Sequence, residues 1–89
     1  MPVELRVSET TEPNKLGGAI VKYIEEDGSV TMSAMGAHAV NQAVKGIIRA
    51  QSYVASNAKE LVWKAGFRNK SDEVTGKEIT LIMFFITTA

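Results

Sequence analysis

Apolar and polar residues alternate at the start of the chain and then change their period. In "VELRVS", Val3, Leu5 and Val7 are separated by single polar residues, as in a strand with one buried face. From Pro13 to Ile24 the apolar residues recur every three or four positions, which is the spacing of one helical face. The pattern predicts a strand followed by a helix.

Individual residues mark the ends and the packing of this first helix. Thr11 suits the N-cap, Pro13 suits the first turn, and the helix is expected to end at Asp27-Gly28. The pair Gly17-Gly18 lies inside the apolar helical pattern and lacks the spacing and the Lys-Ser/Thr pair of a phosphate loop. We therefore expect these glycines to allow close packing against another helix or the sheet.

A second strand and a second helix follow. "SVTMSAM" alternates like a strand, and Gly36 is expected to form the turn into a helix. With Ile48 at its border, the apolar side of this helix comprises Val40, Ala43, Val44, Ile47, Ala50, Gln51 and Val54. Two consecutive strand–helix units favour parallel pairing of their strands.

The last two apolar segments predict strands joined by a hairpin. "KELVWKAGFR" alternates, "NKSDEVTGKE" is polar and contains Gly76, and "ITLIMFFITT" is apolar on both faces, as a central strand is. Helices can cover only one of these faces, so the other predicts self-association unless side chains such as Met35 and Val62 shield it. The order of elements predicts one α/β domain over residues 1–89, built as an α+β two-layer sandwich.

Composition and charge narrow the class of protein. The chain has 89 residues, of which 45% are apolar and 22% charged, and it shows neither a long uncharged apolar segment nor a signal peptide, so we expect a globular cytoplasmic protein with no membrane span. The absence of cysteine excludes disulfides and thiolate sites. The net charge is zero, yet residues 36–70 carry six basic residues and one acidic residue, a net charge of +5, which can attract anions locally.

The polar side of the second helix is the candidate binding surface. Residues spaced by three and four positions form a row without an acidic member: His38, Gln42, Lys45, Arg49 and Ser52, with Asn41 beside them. Lys and Arg attract phosphates, and Asn and Gln add directional hydrogen bonds. The solvated side of an ordinary amphipathic helix has the same pattern, so both interpretations stand.

Two further features lie at the sheet edge where open α/β folds bind ligands. The N–H groups at the start of the second helix, from Gly36 to His38, favour an anion there. The loop "ETTEPNK" contains two glutamates, Glu9 and Glu12, that repel phosphate. It also supplies four donors: Thr10, Thr11, Asn14 and Lys15.

Catalysis and metal binding are not predicted. His38 is the only histidine, and no two carboxylates are placed so that one acts as acid and the other as base. A metal or base site formed by His38 with Glu9 or Glu12 has little support, because an exposed histidine near a helix start is the ordinary explanation. We expect no enzyme activity, no cofactor and no metal.

Three segments carry a family resemblance: "EPNKLGGAI", "SAMGAHAVNQAVKGIIRAQSYVA" and the closing apolar strand. Over nearly the whole chain they resemble the stage V sporulation protein S family of small bacterial proteins. The resemblance implies an Alba-like β-α-β-α-β-β fold, with two helices on one face of a four-stranded mixed sheet whose last strand lies between the second and third. Alba-like proteins are, as a class, dimeric nucleic-acid binders, so it also implies a homo-oligomer, a dimer or tetramer, that binds DNA or RNA.

The resemblance implies that residues from the first loop, the second helix and the hairpin contact nucleic acid: Asn14, Lys15, Asn41, Gln42, Lys45, Arg49, Arg68, Lys70 and Lys77. The helix start adds His38. Acidic residues in the first loop and the hairpin oppose binding to duplex backbone. Two functions therefore stand: a nucleic-acid-binding regulator of sporulation or related development, or a module that docks an acidic protein partner without nucleic acid.

Overall fold

The computed structural model describes residues 4–89 as two helices packed against one face of a four-stranded sheet. In chain order the elements are β1 (Glu4–Val7), α1 (Pro13–Asp27), β2 (Ser29–Ala34), α2 (Ala37–Ala55), β3 (Leu61–Ser71) and β4 (Glu78–Thr88). This β-α-β-α-β-β order confirms the two-layer α+β architecture that the sequence predicted. Val3, which the apolar pattern placed in the first strand, lies outside the described residues.

The strands lie in the order β1-β2-β4-β3. β1 and β2 are parallel, and β4 is antiparallel to both of its neighbours. The last strand is therefore central, as its two apolar faces predicted. β3 is left at one edge of the sheet.

The core lies between the helices and one face of the sheet. Phe84 and Ile86 of β4 pair with Met32 and Val30 of β2 on this face, and Ile20 of α1 packs into the same cluster. Each of these side chains is at most 3% exposed. Burial of large apolar side chains at this level stabilises the fold by roughly 1.5–3 kcal/mol per residue.

Two glycines set the distance between the helices. A Cβ atom added at Gly17 of α1 would lie 2.8 Å from the Cβ of Arg49 of α2, and one added at Gly46 of α2 would overlap the side chain of Leu16. The expected packing role is thus confirmed for Gly17, which lies against a helix. Gly18 has open space in front of it and takes no part in the contact.

The start of α1 differs from the prediction. Glu12, not Thr11, occupies the N-cap position and makes no side-chain cap hydrogen bond. The Thr11 hydroxyl instead accepts a hydrogen bond of 2.8 Å from the backbone N–H of Ser8, because the loop closes on itself. Pro13 in the first turn and Gly28 at the C-cap, with a φ of 80°, are as predicted.

The buried side of α2 is shifted around the helix relative to the predicted arc. Ala39 and Gly46 are buried although the helical wheel did not include them, and Val40 and Val44 are only half-buried. The reason is that α2 packs against α1 as well as against the sheet. Ile48, placed by the wheel at the border of the arc, is 59% exposed.

The hairpin formed by β3 and β4 is longer than predicted. The last β2–β4 pair joins Ala34 to Ile82, and the four residues of β4 before Ile82 pair only with β3. The hairpin therefore projects about 13 Å beyond β2 before its turn. We call this projection, residues 68–81, the arm, and it gives the molecule a longest dimension of 46 Å.

Charged side chains cover part of the sheet face opposite the helices. The guanidinium of Arg68 in β3 donates two hydrogen bonds, each 3.0 Å, to the carboxylate of Glu4 in β1. This bridge spans β2 and β4, and Met83 of β4 is buried. The Lys64 amine lies 5.8 Å from the centre of the Phe85 ring. Shielding of this face therefore exists, but it comes from ionised side chains on the two edge strands.

The sequence suggested that Met35 and Val62 shield this face of the sheet, but both side chains are exposed. Met35 follows β2, Val62 lies near the start of β3, and both are among the exposed large apolar side chains. The alternation of β1 and β3 does not reveal that an arginine and a glutamate 64 positions apart meet across the sheet.

Candidate functional site

The first turn of α1 and the exposed side of α2 border a hollow of about 570 Å³. Two cationic side chains, one carboxylate, one amide and two apolar side chains line it: Glu12, Pro13, Asn14, Lys45, Ile48 and Arg49. We call this site the basic hollow. It combines residues that the sequence had assigned to two separate features, the first loop and the row along the second helix.

The spacing on α2 and its contact with α1 position the two cations. Lys45 and Arg49 are four residues apart and so lie on one side of the helix. Gly17 lets α1 approach the backbone of α2 at Arg49. The half-buried amide of Gln42 donates a 2.9 Å hydrogen bond to the carbonyl of Thr11, which fastens the loop before α1 to α2.

A second polar contact supports Asn14 from the other side. The Tyr53 hydroxyl lies 3.5 Å from the carbonyl oxygen of Asn14 and is oriented to donate to it. This contact engages the backbone of Asn14 only, and the residue is exposed. The Asn14 amide thus remains available to hydrogen-bond a ligand in the hollow.

The charge of the hollow is mainly positive. Neither Lys45 nor Arg49 forms an ion pair with any residue between 4 and 89. The carboxylate of Glu12 lies 3.3 Å from the amine of Lys15, and both side chains are exposed. The first turn of α1 contains no acidic residue and no side-chain cap, so its N–H groups and the helix dipole add to the positive potential.

The hollow also has an apolar part that the sequence did not predict. Ile48 lies between Lys45 and Arg49 on the exposed side of α2, and Pro13 faces it from α1. The sequence placed Ile48 at the border of the buried arc because a helical wheel does not show where α1 packs. The exposure of Ile48 can be predicted only when the contact of Gly17 with α2 is known.

The remaining predicted residues of the helices have different environments. Gln42 serves the structure, because its amide is committed to the Thr11 carbonyl. His38 and Asn41 are exposed in the first turns of α2, outside the residues that line the hollow. Lys15 is exposed beside the hollow and is paired with Glu12.

The hydroxyl groups of the first loop are engaged with one another. The Ser8 and Thr10 hydroxyls are 3.0 Å apart, and the Ser8 hydroxyl also lies 3.3 Å from that of Thr11. These contacts hold the turn that precedes α1. The two threonines, expected from the sequence to be ligand donors, thus have partners within the loop.

The predicted residues of the arm lie apart from the basic hollow. Arg68 and Lys70 pair across the hairpin with Leu81 and Ile79, which places them on the sheet face opposite the helices. Lys77 is exposed in the turn at the tip. The structure thus divides the predicted contacts between two surfaces.

A second hollow of about 570 Å³ lies beside the arm on that opposite face. Its ionisable lining residues are three basic and three acidic: Arg6, Arg68, Lys70, Glu4, Asp72 and Glu73. The positive and negative charges are therefore equal in number. This hollow attracts anions less than the basic hollow does.

The pKa of the Glu4 carboxyl reflects the bridge across the sheet. The hydrogen bond from the Arg68 side chain, helped by its positive charge, lowers this pKa from its ordinary value, against the opposing effect of desolvation. Glu4 therefore remains ionised at neutral pH and continues to hold Arg68.

Residues 4–89 show neither a metal centre nor a membrane-spanning helix. No group of three or more histidine, aspartate or glutamate side chains in this part of the chain is arranged to hold a metal ion. Neither helix of the described structure combines the length and the apolar character needed to cross a membrane.

Comparison with known families identifies a match over nearly the whole chain. The family model described as stage V sporulation protein S (SpoVS) matches residues 3–89. The match covers every helix and strand, the basic hollow and the arm. The resemblance seen in the three sequence segments is thereby confirmed.

Proposed function

The chain belongs to the stage V sporulation protein S family, and on that premise we propose that it is a homo-oligomeric, cytoplasmic nucleic-acid-binding protein that regulates sporulation or a related developmental process. The observation that carries this proposal is the basic hollow, in which Lys45, Arg49 and Asn14 converge from two helices. No reaction is part of the proposed function.

A backbone phosphate suits the hollow chemically. Arg49 offers a planar fork of donors, Lys45 offers a compact positive charge, and Asn14 adds an amide. The first turn of α1 borders the same hollow, and the free N–H groups of a helix start favour an anion nearby. Ile48 and Pro13 provide an apolar surface against which a sugar or a base edge packs.

The other predicted residues extend the contact along the chain of phosphates. His38 and Asn41 are exposed nearer the start of α2, and Lys15 is exposed at the start of α1. The arm is proposed to contact nucleic acid through Arg68, Lys70 and Lys77. The acidic residues beside them reduce the expected contribution of the arm to binding. Gln42 acts by holding the loop to α2.

The size of the hollow predicts modest, salt-sensitive affinity. Two unpaired cations neutralise about two phosphates, so the logarithm of the binding constant for duplex DNA should fall with the logarithm of salt concentration with a slope of about −2 per hollow. A protein that coats duplex DNA through many cations would show a much steeper slope.

The test is fluorescence anisotropy with labelled duplex DNA, single-stranded DNA and RNA at low and moderate salt. The Lys45→Gln/Arg49→Gln variant should bind the preferred nucleic acid at least about tenfold more weakly and with a shallower salt slope. The matched control is Lys22→Gln/Lys59→Gln, which removes the same charge from exposed positions outside the hollow.

Two results would contradict the proposal. The first is the absence of binding to all three nucleic acids at micromolar protein. The second is an equal loss of affinity in the hollow variant and in the control, because net charge alone would then explain the binding.

The apolar part of the hollow favours one alternative function. Ile48 is 59% exposed between two cations, an arrangement that also fits a peptide carrying an acidic and an apolar side chain. In this alternative the hollow docks an acidic protein partner. Capture of that partner would persist after nuclease treatment and would be lost in Lys45→Gln/Arg49→Gln.

A further inference from the structure

One exposed aromatic ring lies at the border of the basic hollow. Tyr53 follows Arg49 by four residues on α2, and Arg49 follows Lys45 by the same interval, so the three side chains are successive neighbours along the helix surface. The Tyr53 side chain is 44% exposed although its ring is large and apolar. An aromatic side chain thus continues the line that the two cations of the hollow begin.

Gly17 of α1 gives this ring a place to pack. A Cβ atom added at Gly17 would lie 3.2 Å from Cε2 of Tyr53 and 2.8 Å from the Cβ of Arg49. Because glycine has no side chain, one edge of the Tyr53 ring lies against the backbone of α1, and Arg49 lies beside it. The ring is therefore supported by α1 while part of its surface is open to solvent.

The hydroxyl group of Tyr53 restricts the ring at its tip. It lies 3.5 Å from the carbonyl oxygen of Asn14, one helical turn before Gly17. A hydrogen bond this long and exposed adds little stability, but together with the contact at Gly17 it limits the orientations of the ring. An aromatic side chain that is already held in place loses little conformational entropy when it contacts a ligand.

The other exposed aromatic rings lack this combination of an open ring and unpaired cations beside it. Phe85 is 41% exposed, but the Lys64 amine lies 5.8 Å from the centre of its ring. Trp63 and Phe67 are exposed on β3, whose basic side chains occupy the alternate positions and face the opposite side of the sheet. Among residues 4–89, Tyr53 has neither a cation over its ring nor a contact with another ring.

Cations in line with an aromatic ring suit a single-stranded nucleic acid. Lys45 and Arg49 are about 6 Å apart along the axis of α2 and have no ion-pair partner among the described residues, so both can hold backbone phosphates. An unpaired base stacks on an exposed aromatic ring whatever its sequence, because every base has a π-face. In a duplex these faces are stacked against one another and the ring finds no base to contact.

We propose that Tyr53 is the residue on which an unpaired base stacks while Lys45 and Arg49 hold the adjoining phosphates, so that the basic hollow selects single-stranded RNA or DNA over duplex. This inference rests on the proposed function and gives it a substrate class. The sequence did not assign Tyr53, because the row along α2 was defined by polar side chains.

Fluorescence anisotropy with an intact and an abasic single strand tests the inference. The two strands have the same length, sugar and phosphates, but the abasic strand lacks its central bases. The native protein should bind the intact strand at least about fivefold more tightly than the abasic strand. Tyr53→Leu should reduce this preference at least about threefold and should change the affinity for duplex DNA less than about twofold.

Two further variants serve as controls. Tyr53→Phe keeps the ring and removes the hydroxyl, so it should retain the preference for the intact strand to within about twofold. Phe85→Leu removes a ring of similar exposure from the opposite face of the sheet and should leave the preference unchanged. A general loosening of the contact between the helices would weaken the binding of both strands, so it would not alter their ratio. Circular dichroism verifies that each variant is folded.

Three results would overturn the inference and leave the proposed function intact. The first is an unchanged preference in Tyr53→Leu, whether or not the overall affinity falls, because Tyr53 would then only support the helix contact. The second is an equal reduction of the preference in Phe85→Leu. The third is tighter binding of duplex than of single strands by the native protein. Absence of binding to every one of these nucleic acids would overturn both the inference and the proposed function.

Discussion

The basic hollow and the arm both carry cations, but they differ in what surrounds those cations. In the hollow, Lys45 and Arg49 have no ion-pair partner among the described residues, and the one nearby carboxylate, of Glu12, is paired with Lys15. In the arm, the carboxylate of Glu4 holds Arg68, and acidic residues lie close by. A similar number of positive charges thus gives a positive potential in one region and near neutrality in the other.

The difference shows that charge along a sequence does not determine the field at a surface. Residues 36–70 have a net charge of +5, and Arg68 and Lys70 belong to that segment. Glu4 lies far outside the segment, yet it neutralises Arg68 through two hydrogen bonds.

Disrupting the helix contact should damage the hollow and spare the arm. Gly17→Ala places a Cβ 2.8 Å from the Cβ of Arg49 and 3.1 Å from the backbone nitrogen of Ala50, so the helices must separate, at a cost of about 1–3 kcal/mol in the free energy of unfolding. Denaturant unfolding followed by circular dichroism measures this change, and anisotropy should show weaker nucleic-acid binding.

Gly18→Ala is the matched control, because nothing lies within 4 Å of its added Cβ. It should raise the free energy of unfolding by up to about 1 kcal/mol, since alanine favours a helix more than glycine does. Equal effects of the two substitutions would show that the contact between the helices is not tight at Gly17.

Removing the carboxylate in the hollow should strengthen the contrast with the arm. Glu12→Gln leaves Lys15 without its partner and makes the hollow more positive, so nucleic-acid affinity measured by anisotropy should rise about two- to fivefold at low salt. Glu26→Gln, at the far end of α1, removes the same charge outside the hollow and serves as control. An unchanged affinity in Glu12→Gln would argue against a phosphate bound beside Glu12.

Acid should remove the neutralisation of Arg68. The folded-state pKa of Glu4 is below its ordinary value, so the bridge contributes stability that is fully present above the ordinary pKa and is lost as the pH falls through the lowered pKa. The difference in free energy of unfolding between the native protein and Glu4→Gln should be at most about 1 kcal/mol at neutral pH, because Arg68 is partly solvated.

The same difference should shrink as the pH falls below about 4.5, the ordinary value for this carboxyl. Denaturant unfolding at several pH values measures it, with Glu78→Gln, an exposed carboxylate of the arm, as control. A difference that stays constant with pH would mean that ionisation of Glu4 does not maintain the bridge.

Substitution in the arm should have the smallest effect on binding. Arg68→Gln/Lys70→Gln removes the same formal charge as the hollow variant, but from a region where acidic residues already offset it. Anisotropy should show less than about a threefold loss of nucleic-acid affinity. A loss as large as that of Lys45→Gln/Arg49→Gln would mean that the arm is an equal contact surface and that its acidic residues move away on binding.

The sequence predicted the elements better than it predicted how they meet. The alternation in β1 and β3, the turn at Gly36 and the end of α1 at Gly28 are local features, and each is present in the structure. Local patterns are sufficient for these because strand and helix periods depend on neighbouring residues only.

The sequence was a poorer guide wherever a distant element decides the outcome. The exposure of Ile48 depends on where α1 packs, the N-cap at Glu12 depends on a loop that closes through Ser8 and Thr11, and the role of Arg68 depends on Glu4. The sequence predicted the two cations of the basic hollow, Lys45 and Arg49, because they lie on one side of a single helix. Its apolar part was not, because Pro13 and Ile48 come from different helices.

The central position of β4 has a consequence for the order in which the protein folds. β2 and β3 each need β4 as a neighbour, yet β4 follows both of them in the chain. During synthesis the sheet cannot close until this last strand leaves the ribosome, and until then β2 presents an unpaired strand edge. The long sequence separation of the β2–β4 pairs slows folding, so the nascent chain passes through a stage in which a chaperone can bind its exposed apolar strands.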